Sequence, residues 1–333
     1  MRARLNARGV CMAGVLALMG LIQTGCLTQN VIVVVEPDGS GNIAITRTMS
    51  AMMLAGITMQ MQQMEEQFGD VDEMDIDLPF DPSNPLYNRE ALERAARQYG
   101  VGVTFVNARP VDRAGAKGVQ VMYAFEDINN VRINPNIMLA MMTIFGGDDD
   151  FDMMEGVPPM EEVQFAFAAE EDVNQLRVLL PSGMKDAPER RERIRSQAGT
   201  VAEGTAEEFD DLPPPMEMEM TMPGAEMFGM TGMESPEQAM RMMFAGTRMS
   251  LAVEVRGTVT ETTAQYPSER RPTRFTVYDI DFDRAMGHDD FDLFTEDMDA
   301  LESADSPDAF MNVLYALPTV TVENQSELRI NFQ

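Results

Sequence analysis

Val31-Ile32-Val33-Val34-Val35 is a run of β-branched residues that meets Pro37-Asp38-Gly39-Ser40-Gly41, after which Ile43-Ala44-Ile45-Thr46 resumes the pattern. Two such runs across a Gly-containing turn predict a β-hairpin. Met53, Ile57, Met61, Met64 and Phe68 then fall on one stripe, which predicts a helix over 49–68. The acidic, Pro-broken stretch from Asp70 to Asn84 reads as a loop. Asn84-Pro85, or Asn88 just after, can start a second helix with Leu92, Ala95, Ala96 and Tyr99 on its buried side, and Gly100 stops it. Val101 to Val106 and Gly118 to Phe125 read as paired strands across a Gly-rich turn, and a short helix is expected around 137–145. A third hairpin joins Val163–Phe167 to Leu176–Leu180.

Residues 182–234 break this rhythm. A basic burst from Arg190 to Arg195 can form a short helix, but Pro213-Pro214-Pro215 and a Met/Gly/Glu tract to Met233 follow without periodicity. With little to bury, the segment reads as a disordered acidic, Met/Pro-rich linker. Order resumes at Ser235-Pro236-Glu237, a capped helix start with Met240, Met243 and Phe244 on the buried face. Leu251 to Gly257 and Phe275 to Phe282 alternate as half-buried strands, helices are expected near 283–301 and 306–316, and Val320 to Phe332 closes the chain as a strand or two. Hairpins and helices come in blocks, so the expected class is α+β with mainly antiparallel sheet hairpins and packed helices. The expected layout is two lobes, 26–181 and 235–333, separated by the linker 182–234.

Composition narrows the function. Arg2, Arg4 and Arg8 precede an apolar core from Val10 to Ile22, then Gln23-Thr24-Gly25-Cys26. That core is shorter than the roughly 20 apolar residues of a membrane span and has the layout of an export signal over 1–25. The two cysteines are Cys11, inside this segment, and Cys26. A chain starting at Cys26 could form no internal disulfide and no Cys-based metal site. It would keep 308 of the 333 residues, and the formal charge would move from −30 to about −33. Such a charge repels nucleic-acid phosphates and excludes nucleic acid as a partner. It repels anionic headgroups too, so attachment to a membrane would rest on acyl chains.

Methionine is over-used, at 32 copies with no tryptophan. Met216, Met218, Met220 and Met222, continued by Met227, Met230 and Met233, are closely spaced thioethers of the kind that bind Cu(I) on flexible loops. The plain alternative is a chain that uses Met everywhere, and a third reading is oxidant scavenging. Asp148–Asp152 and Asp279–Asp283 lack the Gly and Glu that an EF-hand loop needs. In the second, Tyr278, Ile280 and Phe282 alternate with the aspartates, as on a half-solvated strand. His288 is the sole histidine, which cannot make a multi-His zinc site, and no Gly-x-Ser-x-Gly elbow or phosphate-cradling loop occurs. Enzymatic activity is not expected, and no cofactor is implied.

The segment Leu21-Ile22-Gln23-Thr24-Gly25-Cys26 resembles a bacterial lipoprotein signal, with Gln23 where the family has Leu, Val or Ile. The resemblance implies cleavage before Cys26 and a diacylglyceryl group with palmitate-type chains on its sulfur. Leu27, in place of Asp, implies outer-membrane sorting. Cys26 to Thr46, Tyr99-Gly100-Val101-Gly102-Val103, Lys117-Gly118-Val119 leading to Tyr123–Asn129, and Phe244 to Phe282 resemble secreted lipoproteins common in planctomycetes and related bacteria. The opening also resembles the LppM-like lipoprotein domain, whose members are linked to envelope lipid. Neither resemblance carries site residues across. The resulting expectation is a non-enzymatic lipoprotein of the cell envelope, held on the membrane through Cys26 and facing the periplasm or cell surface. It would bind an apolar ligand or an envelope protein partner. A Cu(I)-handling lipoprotein using Met216 to Met233, or a purely structural envelope protein, are the alternatives.

Overall fold

A strand that is apolar at consecutive positions has both faces covered, whereas one that alternates has one face in water. Leu27–Val35 (β1) is of the first kind towards its end, with Val33, Val34 and Val35 all buried. The computed structural model accounts for this by placing β1 in the middle of a sheet. It describes residues 27–51, 54–55, 84, 86–113, 115–135, 161–170, 173–203, 245–287, 312, 314–317 and 319–333.

β1 turns at Gly39, whose φ of +82° suits glycine, into Gly41–Ser50 (β2), and the two pair antiparallel from Leu27↔Met49 to Val35↔Gly41. Arg89–Ala95 (α1) is capped by the Asn88 side chain, which accepts from the Ala91 N–H. A 3₁₀ turn, Ala96–Tyr99, continues it and ends at Gly100, φ +126°. Thr104–Arg113 (β3) and Ala116–Phe125 (β4) form the next hairpin. It is longer than the sequence pattern suggests: ladder pairing runs to Arg113↔Ala116. Arg132–Ile133 (β5), Val163–Ala169 (β6) and Asn174–Leu179 (β7) follow, then Ser182–Glu203 (α2). The remaining elements are Arg248–Val255 (β8), Val259–Thr262 (β9), Pro267–Ser268 (β10), Arg271–Asp281 (β11), Phe282–Met286 (α3), Thr321–Val322 (β12) and Glu327–Phe332 (β13).

Two sheets result. The larger has the order β10-β11-β8-β1-β2-β4-β3, with β12 on β11; the smaller has the order β5-β6-β7-β13-β9. All pairings are antiparallel except β1 with β8, which run parallel from Thr28↔Arg248 to Val35↔Val255. The sheets meet at the far end of β1. There Gly39 packs against the Phe167 ring, the Ile128 N–H donates to the Gly39 carbonyl (2.9 Å), and Asn129 accepts from the Phe167 N–H (2.8 Å). One continuous apolar cluster runs through both.

Two expectations change. Each sheet takes strands from both sides of 182–234, so the chain does not divide there into an N-terminal and a C-terminal lobe. The cause is β1, whose second hydrogen-bonding edge is filled by β8 from beyond the segment. Nor does the segment begin as a linker: residues 182–203 are helical. Met184 and Ala187 are buried, and Arg191 donates to the carbonyls of Ala316 and Leu317 (3.0 Å each). That docking outweighs a sequence too polar to show a helical stripe. The described architecture is sheet-rich; beside α1, α2 and α3, residues 51, 54–55, 312 and 314–316 are helical.

Candidate functional site

Cys26 and the methionines Met216, Met218, Met220, Met222, Met227, Met230 and Met233 lie outside the described residues, as do His288 and Asp148–Asp152. The expected helices at 137–145 and 235–244 also lie outside them. Asp279–Asp283 is described, and its aspartates have separate duties. Asp279 accepts two hydrogen bonds from Arg248 (2.9 and 2.6 Å), Asp281 caps α3 by accepting from the Arg284 N–H (3.1 Å), and Asp283 accepts from the Gly246 N–H. Tyr278, Ile280 and Phe282 are buried between them, as their alternation predicts. Among the described residues no group of three or more His, Cys, Asp or Glu side chains could hold a metal ion.

The polar chemistry that is present lies on the inner face of the large sheet. Ile43, Ile45, Arg47 and Met49 alternate along β2, and all four are buried. Arg47 therefore points where an apolar residue belongs, with only 9% of its surface exposed. It stands in one rung with Met249, Gln29 and Val119. Its Nε donates to Gln29 Oε1 (2.8 Å) and an Nη to the Tyr99 hydroxyl (3.1 Å). Both partners are neutral. Tyr99 is delivered by the 3₁₀ turn and stacks at 5.0 Å, tilted, on Tyr123, whose hydroxyl donates to the Leu92 carbonyl (2.9 Å) and so fastens α1 over the sheet.

Three strands from Arg47 across the same sheet, on β11, stands Tyr278. It lies on the rung of Leu251, Val31 and Ile45, next to that of Arg47, and its hydroxyl is buried with no hydrogen-bond partner among the described residues. Burial, then the Tyr99 hydroxyl, raises its pKa well above the ordinary phenol value. Tyr123 is raised by burial and by Tyr99, with Arg47 opposing. The raised hydroxyls of Tyr123 and Tyr278 stay protonated at neutral pH. The arrangement offers a fixed positive charge and neutral hydroxyls within an apolar surround; it contains no base or nucleophile set against them.

Two buried carboxylates lie elsewhere. Glu254 of β8 has 3% of its side chain exposed and is met by Arg274 (2.5 and 2.8 Å), Arg271 (3.3 Å) and Arg256 (3.1 Å). Burial pushes its pKa up, but the hydrogen bond and charge of Arg274, with Arg256 and Arg271, outweigh that and hold it below the ordinary range. Glu323, fully buried after β12, accepts from the Gln265 N–H (2.8 Å), the Tyr266 N–H (3.4 Å) and Gln325 Nε2 (3.2 Å). Among the described residues it meets no cation, and burial wins over these hydrogen bonds: its pKa is raised.

No protein-family model matches this chain, and no curated protein does. A solved structure with some likeness is the folded domain of the Mycobacterium tuberculosis LppM protein, at 7% identity and a TM-score of 0.26, over 93% of this chain and 91% of that one. At that score the likeness carries no argument about fold or function.

Sequence reasoning passed over Arg47 and Tyr99 as a pair. The signal for Arg47 was present, since a guanidinium interrupts an otherwise apolar alternation from Ile43 to Met49. Nothing local, however, brings Tyr99 to it.

Proposed function

We propose that this is a lipid-anchored, non-enzymatic protein of the bacterial cell envelope that binds an apolar ligand or an envelope protein partner. Acyl chains on Cys26 would hold it on the membrane. The export-type segment ending in Thr24-Gly25-Cys26 supports the anchor. The observation that carries the reading furthest is that Leu27, the next residue, already belongs to β1 and is 2% exposed. Acyl chains at Cys26 would therefore join the central strand of the large sheet with no spacer. The rung of Leu27, Met49 and Lys117 would then face the headgroups. Several acyl chains, at about 0.8 kcal/mol per buried CH₂, make such attachment effectively permanent.

The test is metabolic labelling with radioactive palmitate in a bacterial host, beside fractionation of the Cys26→Ser chain. Label in the wild type, none in the variant, and release of the variant from membranes are expected. An unlabelled wild type, or a variant that stays with the membrane fraction, would overturn the reading.

A further inference from the structure

Glu254 alternates with the core residues Val253 and Val255 and so points to the other face of the large sheet. Arg256, Arg271 and Arg274 all converge on its carboxylate. One Nη of Arg274 stands 2.5 Å and one of Arg271 3.3 Å from the same oxygen, so these nitrogens are within about 6 Å of each other. Arg256 meets the second oxygen at 3.1 Å. Three positive charges thus share one negative charge, and among the described residues no other carboxylate meets them. The turn before β11 adds Arg270 and Glu269, both exposed, which leaves the excess unchanged. This imbalance runs against the composition. With 55 acidic residues to 25 basic ones, a carboxylate is the commonest counter-charge the chain has, yet none is spent here. Like charges held so close repel, and an anion relieves the repulsion.

The place is open to solvent. Arg271 keeps 58% and Arg256 55% of its side chain exposed, while Glu254 beneath them keeps 3%. A guanidinium carries five N–H donors in a rigid fork, and each of these two gives a single nitrogen to Glu254. The buried carboxylate therefore acts as a post. It fixes the forks in advance and spares a ligand the cost of ordering long side chains. The ligand's charge follows from the excess, which is two. A phosphomonoester carries about −1.5 to −2 at pH 7 and offers three strong acceptor oxygens, whereas a phosphodiester carries one charge. Glu254 lies on the rung of Val34, at the end of β1 remote from Cys26 and about 26 Å along the strand from it. We propose that Arg256, Arg271 and Arg274, fixed by Glu254, bind a phosphomonoester dianion at this end of the sheet. The site goes beyond the reading above and stands whether or not Cys26 is acylated.

Calorimetric titration of the full-length protein in dodecyl maltoside tests the site, with glucose 6-phosphate and inorganic phosphate as probes. Co-sedimentation with phosphatidylcholine vesicles, with and without phosphatidic acid, supplies a third. Saturable one-site binding is expected, and the tightest probe names the source as a soluble ester, free phosphate or a lipid headgroup. Dimethyl phosphate, a monoanion, should bind about tenfold more weakly or worse. Arg271→Gln and Arg256→Gln should each weaken binding about tenfold, as loss of a charge-assisted hydrogen bond implies, and Arg271→Lys should restore part of it. Both side chains are more than half exposed, so either variant should fold, which thermal melting checks. A readout without a variant guards the test. Low-millimolar glucose 6-phosphate should raise the wild-type melting temperature above that in chloride of equal ionic strength; a merely structural cluster predicts no difference. No saturable binding by any probe, equal binding of dimethyl phosphate, or binding indifferent to both glutamine variants overturns the site. A hexaglutamate peptide that binds more tightly than every phosphate probe overturns the choice of phosphate.

Discussion

Glu254 and Glu323 are equally hidden, yet their carboxyl groups shift in opposite directions. Glu254 faces three guanidiniums, which hold its pKa below the ordinary 4.5; among the described residues Glu323 faces N–H donors alone, and burial raises its pKa above that value. Burial alone therefore does not decide ionisation here; what decides it is whether a full charge stands opposite. Backbone and amide hydrogen bonds hold Glu323 in place, where it fastens the 263–266 segment that passes from β9 in one sheet to β10 in the other. They do not neutralise it.

The strongest way to break this comparison is Glu254→Gln, which leaves three arginines facing one another. It should cost about 2–3 kcal/mol in urea unfolding at pH 7, below the 3–5 of a fully buried pair because Arg271 and Arg256 are more than half exposed. A cost no larger than that of an exposed pair would remove the distinction. Tyr123→Phe comes next. Loss of the bond to the Leu92 carbonyl beneath α1 should cost about 1–1.5 kcal/mol by thermal melting, with α1 amides exchanging faster.

The pH profiles sharpen the comparison through their signs. Because Glu254 is lowered in the folded state, the unfolded chain binds more protons, and its contribution is present at neutral pH and lost as pH falls below about 4.5 through the folded value. Glu323 is raised, so the folded chain binds more protons, and stability falls as pH rises from about 4.5 through the raised value. Glu323→Gln should accordingly melt higher than wild type at pH 7 and alike near pH 4, by less than Glu254→Gln loses. A variant that is no more stable at pH 7 would show that the backbone donors do compensate the charge. The smallest effect belongs to Asp279→Asn. Its pair with Arg248 is partly in water, so about 0.2–1 kcal/mol is expected from chemical denaturation.

Local chemistry was readable in the sequence. The β1–β2 turn, the Asn88 cap, the Gly100 stop, the β6–β7 hairpin and the burial of Tyr278, Ile280 and Phe282 each rest on signals a few residues long. The β1–β8 pairing joins residues 220 apart, as in Thr28↔Arg248, and no short pattern encodes it. The two-lobe division failed for that reason. Of α2 only a short helix at Arg190–Arg195 was legible, because only Met184 and Ala187 mark its docked side, and an arginine, Arg191, continues it. At the candidate site, Arg47 could be seen as an anomaly of alternation, while its meeting with Tyr99 exists only after folding.

The same parallel pairing orders events in time. Until residue 255 has emerged from whatever delivers the chain, the second edge of β1 keeps bare amides and carbonyls ready to pair with any extended segment nearby. A polypeptide cut short before β8 would be sticky through its most apolar stretch, and escorting the newborn chain until that late segment arrives is a need written into the topology.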